Sequence, residues 1–273
     1  MAKMETNLKV CNNKRMKLSV SDKFSIKELI YKLVMLLFVL ILWQLAANHY
    51  NNSLLLPTPK STIIAFFQCI TDIEVITNIS ITMTRVLKGF LYALLFGVPI
   101  GFLMGAFKVF ENLIGGFIDS LRQVPIMAWV PLTIVWFGIG DGPTIFLIAF
   151  AGVFPVILNT IHGVKNISKD YYNAAKSMGA SPLSIFVNIM VPAAIPDILT
   201  GARIAISSGW MSVIWAEFIA TSAGLGYSMV EAQTYMQTER LIALMIFAAL
   251  VGFAIDRILQ FANRRLTKWR HIQ

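Results

Sequence analysis

The chain is short of charge. Only 14% of its 273 residues are Asp, Glu, Lys or Arg, against about 25% in an average soluble domain. The missing charges are absent from the interior of long apolar segments, and 57% of the residues are hydrophobic. That excludes an ordinary soluble fold and predicts an all-α integral membrane protein. Cysteine is scarce too: Cys11 lies in a basic N-terminal arm and Cys69 beyond the first apolar run. The two are expected on opposite sides of the membrane, which excludes a disulfide framework. His49, His162 and His271 are scattered, so no metal-ligand cluster is indicated. No G-x4-GK[ST] loop occurs, so the chain carries no nucleotide site of that kind. No G-x-S-x-G or H-E-x-x-H occurs, which argues against a membrane-embedded hydrolase. Mid-membrane carboxylates are few, which argues against an ion-coupled secondary transporter, and no inverted internal repeat is visible.

The charge that is present sits at the ends. The formal net charge of +9 comes with Lys3, Lys9, Lys14, Arg15, Lys17, Lys23, Lys27 and Lys32 before or at the very start of the first run. Arg257, Arg264, Arg265, Lys268 and Arg270 cluster at or beyond the end of the last. Such clusters set topology and do not line a nucleic-acid groove.

Six spans are expected, at about residues 29–47, 79–106, 124–139, 144–164, 196–220 and 241–261. The third is short and contains Pro125 and Pro131, so a kinked, buried helix is expected there. Domain organisation follows: a basic cytoplasmic arm at 1–28, a first transmembrane helix at 29–47, a core at 79–264 and a basic tail at 265–273. The positive-inside rule places both termini in the cytoplasm, together with Lys165, Lys169 and Lys176. A cleaved signal peptide ending near Ala46-Ala47 is the rival reading of the first run; the long basic arm favours a retained anchor. Residues 58–70, after Pro57, read either as a helix at the outer interface or as an irregular loop.

Residues 170–192, DYYNAAKSMGASPLSIFVNIMVP, form a polar island among these runs. Tyr171, Ala174, Ala175 and Met178 share one helical face. Asp170 is placed to cap that helix, and Gly179 to close it. Ser181 caps a second helix with Pro182 at its first position, and Pro192 is expected to interrupt it. On these residues the island resembles the cytoplasmic coupling signature of binding-protein-dependent ABC importer permeases. The resemblance rests on AA-x3-G-A-S, then Ile189 and Pro192. It implies that Asn173, Ala174, Ala175, Gly179, Ala180, Ser181 and Pro192 dock on an ATPase subunit. Asn173 stands where that family usually has Glu, which removes a charge-assisted contact of about 1–3 kcal/mol.

Residues 122–164 contain WVPL…WFGIG and then FP-x3-NT-x2-GV. This is similar to the nitrate, sulfonate, taurine and bicarbonate branch of those permeases. Related members move pyrimidine precursors of thiamine or riboflavin. The resemblance implies the type I importer permease fold and a separate ATPase dimer that holds ATP and Mg. It also implies a second permease copy and an extracytoplasmic solute-binding protein, with no cofactor in this chain and no nucleic-acid partner. A sulfonate, taurine or nitrate-type anion is the expected solute, with a pyrimidine precursor as the alternative.

Four residues are candidates for the pathway or its gate. Glu217 lies in AEFIATSAGLGYSM, where Gly224 and Gly226 permit a re-entrant turn. It reads as a gate partner, or else as a buried structural carboxylate. Arg85, one turn from Lys88, either draws an anion inward or anchors its helix by snorkelling. Asn159 either faces the path or packs helices. Arg203 follows Asp197 by about 9 Å of helix rise, too far to assume a pair. Gly89, Gly97, Gly101 and Gly105 form a small-residue stripe that serves close helix packing.

Overall fold

The computed structural model describes residues 26–266. The basic arm before residue 26, with Cys11, and the tail after residue 266, with His271, lie outside them. The chain divides into two units, one ending at Asn51 and the other beginning at Asn52. In the first, α1 (Ile26–Tyr50) is a single 25-residue helix. Its apolar side chains, from Leu29 to Leu45, are mostly exposed around the whole cylinder. An apolar surface on every side is stable in lipid, not in water.

Among the described residues the second unit consists of helices joined by short connections. It runs α2 (Pro59–Thr71), α3 (Ile73–Ala106), α4 (Lys108–Leu121), a 3-10 turn (Ile126–Trp129), α5 (Val130–Phe137) and α6 (Asp141–Lys165). It continues with α7 (Lys169–Ser177), α8 (Pro182–Ile185), a π turn (Phe186–Met190), α9 (Val191–Ala220), α10 (Leu225–Thr234) and α11 (Thr238–Leu266). The 58–70 segment is a helix, capped by Thr58, which accepts from the Ser61 N–H. It packs on α11 through Phe66 and Phe247, with ring centroids 6.0 Å apart.

The glycine stripe fixes the central packing. A methyl group added at Gly97 would lie 2.8 Å from Val156 Cβ, and one at Gly101 would lie 2.6 Å from Thr160 Cβ. Gly89 meets Ile148 and Gly105 meets Val164 in the same way. The offset is 59 residues each time, as from Gly97 to Val156, so α3 and α6 are parallel. Against α6 the next helix is antiparallel: Gly163 meets Ala194, and Gly152 meets Ala205. α11 is antiparallel to α9, since Arg203 meets Asp256 and Trp210 meets Gly252.

Among the described residues, five helical stretches are long and apolar enough to cross a membrane: within α1, α3, α6, the Pro182–Ala220 run and α11. The sixth crossing is not one helix. Because α3 and α6 are parallel, the chain between them must return. It does so through α4 and α5 together, so the crossing begins at Lys108 and not at residue 124. Ile118 of α4 packs with Met104 and Ile157. Val130 of α5 packs with Leu147 and Ala216. At the far end the Gly140 N–H donates to the Ala220 carbonyl over 2.7 Å. The break lies at residues 122–125, before the 3-10 turn. Pro131 breaks nothing, because it sits in the first turn of α5, where no N–H is needed.

The expected start of the fifth span at residue 196 also needs correction. Helical backbone runs from Pro182 through the π turn into α9, and Pro192 lies in the first turn of α9. The π turn takes up the lost donor, so Pro192 does not interrupt the path.

Candidate functional site

The parallel packing brings the N-termini of α3 and α6 and the C-terminus of α9 to one end of the unit. The 170–192 segment lies at the other. Each end carries one candidate site.

At the end remote from that segment, Arg85 is 5% exposed and Glu217 is fully buried. Arg85 Nη1 donates to Glu217 Oε1 over 2.7 Å and to the Ala223 carbonyl over 2.7 Å. Its Nε and Nη2 reach Asp141 Oδ1 at 2.8 and 2.6 Å. The Gly226 N–H donates to Glu217 Oε2 over 2.9 Å. The Thr82 hydroxyl lies 2.9 and 3.0 Å from the two carboxylate oxygens and accepts from the Leu225 N–H. Asn78 Oδ1 accepts from the Gly224 N–H, while its Nδ2 donates to Ser228 Oγ over 2.8 Å. One buried charge pair therefore ties α3, α6, α9 and α10 together.

The α9–α10 turn makes this possible. Gly224 has φ of 115°, and a Cβ there would overlap the Glu217 carboxylate. Only glycine lets the backbone fold back so closely. Arg85 does not snorkel here: its guanidinium is held between two carboxylates, those of Asp141 and Glu217. The signal lay in the sequence as two isolated membrane charges of opposite sign, Arg85 and Glu217. Nothing in the spacing paired them across 132 residues. Asn78, Thr82 and Asp141 were missed altogether.

At the opposite end, α7 has no buried residues. Tyr171 is 65% exposed, Met178 85% and Leu183 71%. Asn173 and Ala174 are exposed, and Ala175 is half-buried. The N-cap is Ser168, which accepts from the Asp170 N–H over 3.2 Å; Asp170 itself sits in the first turn. Gly179 takes φ of 78°, and the Ala180 N–H donates to the Ala175 carbonyl over 3.0 Å. That pattern of bonds is the left-handed helix closure expected of the sequence. Ser181 accepts from the Ser184 N–H over 3.3 Å and caps α8. Tyr172 points back into the bundle, packed with Phe102, Val164, Met190 and Ala194. Burial raises its phenol above the ordinary tyrosine value. α7 is thus anchored through Tyr172 and presents most of its other side chains, while Ile185, Phe186 and Met190 further along the island pack back into the bundle.

The other candidates lie apart from both ends. Asn159 Nδ2 donates to the Pro155 carbonyl over 2.8 Å, and its Cβ faces Gly201. Arg203 pairs with Asp256 of α11 at 2.9 Å, and Asp256 also accepts from Gln260. Asp197 lies 3.4 Å from His162 Nδ1 and does not pair with Arg203.

Residues 97–268 match the family described as binding-protein-dependent transport system inner membrane component. The chain belongs to that family. It is a permease subunit of an ABC importer, a multi-pass membrane protein of a class that works with a separate ATPase and a solute-binding protein. A putative ABC transporter permease of Methanocaldococcus jannaschii is 36% identical over 259 residues, covering 93% of this chain and 97% of its own. The taurine transport system permease of Escherichia coli is 33% identical over 232 residues, covering 83% and 84%. A putative aliphatic sulfonates transport permease of the same organism is 33% identical, covering 85% and 88%. A structure of the MetNI methionine ABC transporter in an inward-facing conformation has a chain matching this permease with a TM-score of 0.62. That match has 17% identity and covers 71% and 96%. At that identity the likeness concerns the fold alone, which is the type I importer permease fold.

Proposed function

We propose that this permease imports a small sulfonate-type anion such as taurine, with nitrate in the same class. The reading is carried by the relatives named for taurine and aliphatic sulfonates, each at least 31% identical over more than four-fifths of this chain. The permease works as a pair of identical copies, each supplying half of the path, with both termini cytoplasmic. ATP and Mg are held by the ATPase dimer, and this chain binds no cofactor.

The exposed segment from Asn173 through Ser181 to Pro192 seats on the ATPase. Closure of the ATPase dimer draws that segment inward. The energy comes from nucleotide binding the two permease states unequally. Arg85 and Glu217 hold the opposite, outer end closed in the inward-open state. The turn at Gly224 opens when the helices rock apart.

The test is uptake of labelled taurine in cells deprived of their own sulfonate permease. Restoration by this chain, abolished by a hydrolysis-dead ATPase partner, supports the reading. Restoration of nitrate uptake alone moves the solute within the class, and ATP-independent flux overturns the mechanism.

A further inference from the structure

Arg122 and Gln123 occupy the break between α4 and α5, and neither the outer ion pair nor the coupling segment uses them. Their depth can be read from their neighbours. Ile118, one turn before the break, shares a cluster with Met104 and with Ile157 of α6, against which Val153, Phe154 and Ile161 of α6 pack. Trp129, after it, stands 4.8 Å from Phe150. The break is therefore level with Val153, the middle residue of the 25-residue helix Asp141–Lys165. That is about half-way through the bilayer.

Lipid cannot cover such a place. Irregular backbone at this depth is tolerated only where it is buried in protein or lines a wet cavity. Yet Arg122 is 41% exposed and its partner Asp119, at 3.0 Å, is 60% exposed in the single chain. Gln123 and Ser120 are exposed beside them. Intramembrane charges face a pathway or a partner, not hydrocarbon.

Two other arginines could receive an anion, and both are better engaged. Arg85 is buried between two carboxylates. Arg203 lies at similar depth, near the Gly152–Ala205 contact, but is held by Asp256 of another helix, itself fixed by Gln260. Arg122 has only an exposed carboxylate three residues away on its own helix. Wet pairs of that kind contribute little and exchange readily.

We propose that Arg122, with the Gln123 amide beside it, binds the anionic head of the solute half-way along the path, and that Asp119 is the counter-charge released on binding. The planar guanidinium offers two parallel N–H donors to two sulfonate oxygens. The inference rests on the anion reading above, so its test has an arm that needs no solute.

Permease with Cys11→Ser and Cys69→Ala is assembled with its ATPase and binding protein in proteoliposomes. Gln123→Cys in that background is treated with membrane-impermeant anionic and cationic methanethiosulfonates. The expected result is modification by both, faster by the anionic reagent, with that preference lost when Arg122→Gln is added. Leu95→Cys, on the exposed face of α3, should stay unmodified. An unreactive Gln123→Cys, or one without charge preference, overturns the proposal whatever solute is carried. In the second arm Arg122→Gln should raise the KM for taurine roughly ten- to hundredfold, and Arg122→Lys less. An unchanged KM overturns the proposal. Wild-type protein that carries no taurine, with the labelling preference intact, overturns the sulfonate reading and leaves the anion site supported.

Discussion

Removing Arg85 should destabilise the permease far more than neutralising Glu217. The Arg85→Ala variant leaves a carboxylate with no solvent exposure facing only the Thr82 hydroxyl and the Gly226 N–H. Breaking a buried pair this way costs about 3–5 kcal/mol, because the uncompensated charge stays behind. Solvent screening gives little relief, since the Arg85 side chain is only 6% exposed. Glu217→Gln keeps an oxygen for the Gly226 N–H and leaves Arg85 with Asp141 and the Ala223 carbonyl. Its cost should be nearer 1–3 kcal/mol. The double variant carries no orphaned buried carboxylate at position 217, so it should cost less than the two single changes together, by about 1–3 kcal/mol. Unfolding of the purified permease by SDS titration in mixed micelles gives all three values. Additivity within about 0.5 kcal/mol would refute the coupling. So would an Arg85→Ala variant as stable as wild type.

Four further outcomes follow from particular contacts. Gly179→Val forces a branched side chain to φ of 78°; at about 1–2 kcal/mol of strain or more, taurine-stimulated ATPase activity and uptake should fall with insertion unchanged. Ser168→Ala should loosen α7 by about 1 kcal/mol, while Asp170→Ala costs less because Asp170 is not the cap; hydrogen exchange of residues 168–177 would read the difference. Gly97→Leu drives a side chain into Val156 and should prevent a stable α3–α6 pair, seen as aggregation on size exclusion. Burial raises the Cys69 thiol above its ordinary value, so the reactive thiolate is scarce at neutral pH. Alkylation of folded Cys11→Ser protein by iodoacetamide should be slow at pH 7 and rise towards pH 10, and fast labelling at pH 7 would contradict that burial.

Local punctuation was legible in the sequence wherever one residue decides one turn. Ser181, Pro182 and Gly179 sit as their chemistry requires, because caps and left-handed closures depend on the nearest few residues. The apolar runs were legible for the same reason. The broken crossing was not, since Glu111, Asp119 and Gly115-Gly116 make α4 resemble a polar connection. Only the parallel packing of α3 and α6 forces a crossing there. The cap is Ser168 and not Asp170, because either side chain can serve and residue type alone does not choose between them. Arg85 with Glu217, and Arg203 with Asp256, join residues 132 and 53 apart. Such partners are set by helix packing, which residue spacing does not encode.

The proposed function makes this chain the path of an ATP-driven importer, moved through its 170–192 segment. Proteoliposomes holding the permease, its ATPase and its binding protein test this directly, with labelled taurine outside and ATP inside. Uptake that requires ATP and the binding protein, and is lost in Gly179→Val with the complex still assembled, is the predicted result. Equal flux without ATP, or full uptake by the Gly179→Val variant, would contradict the account.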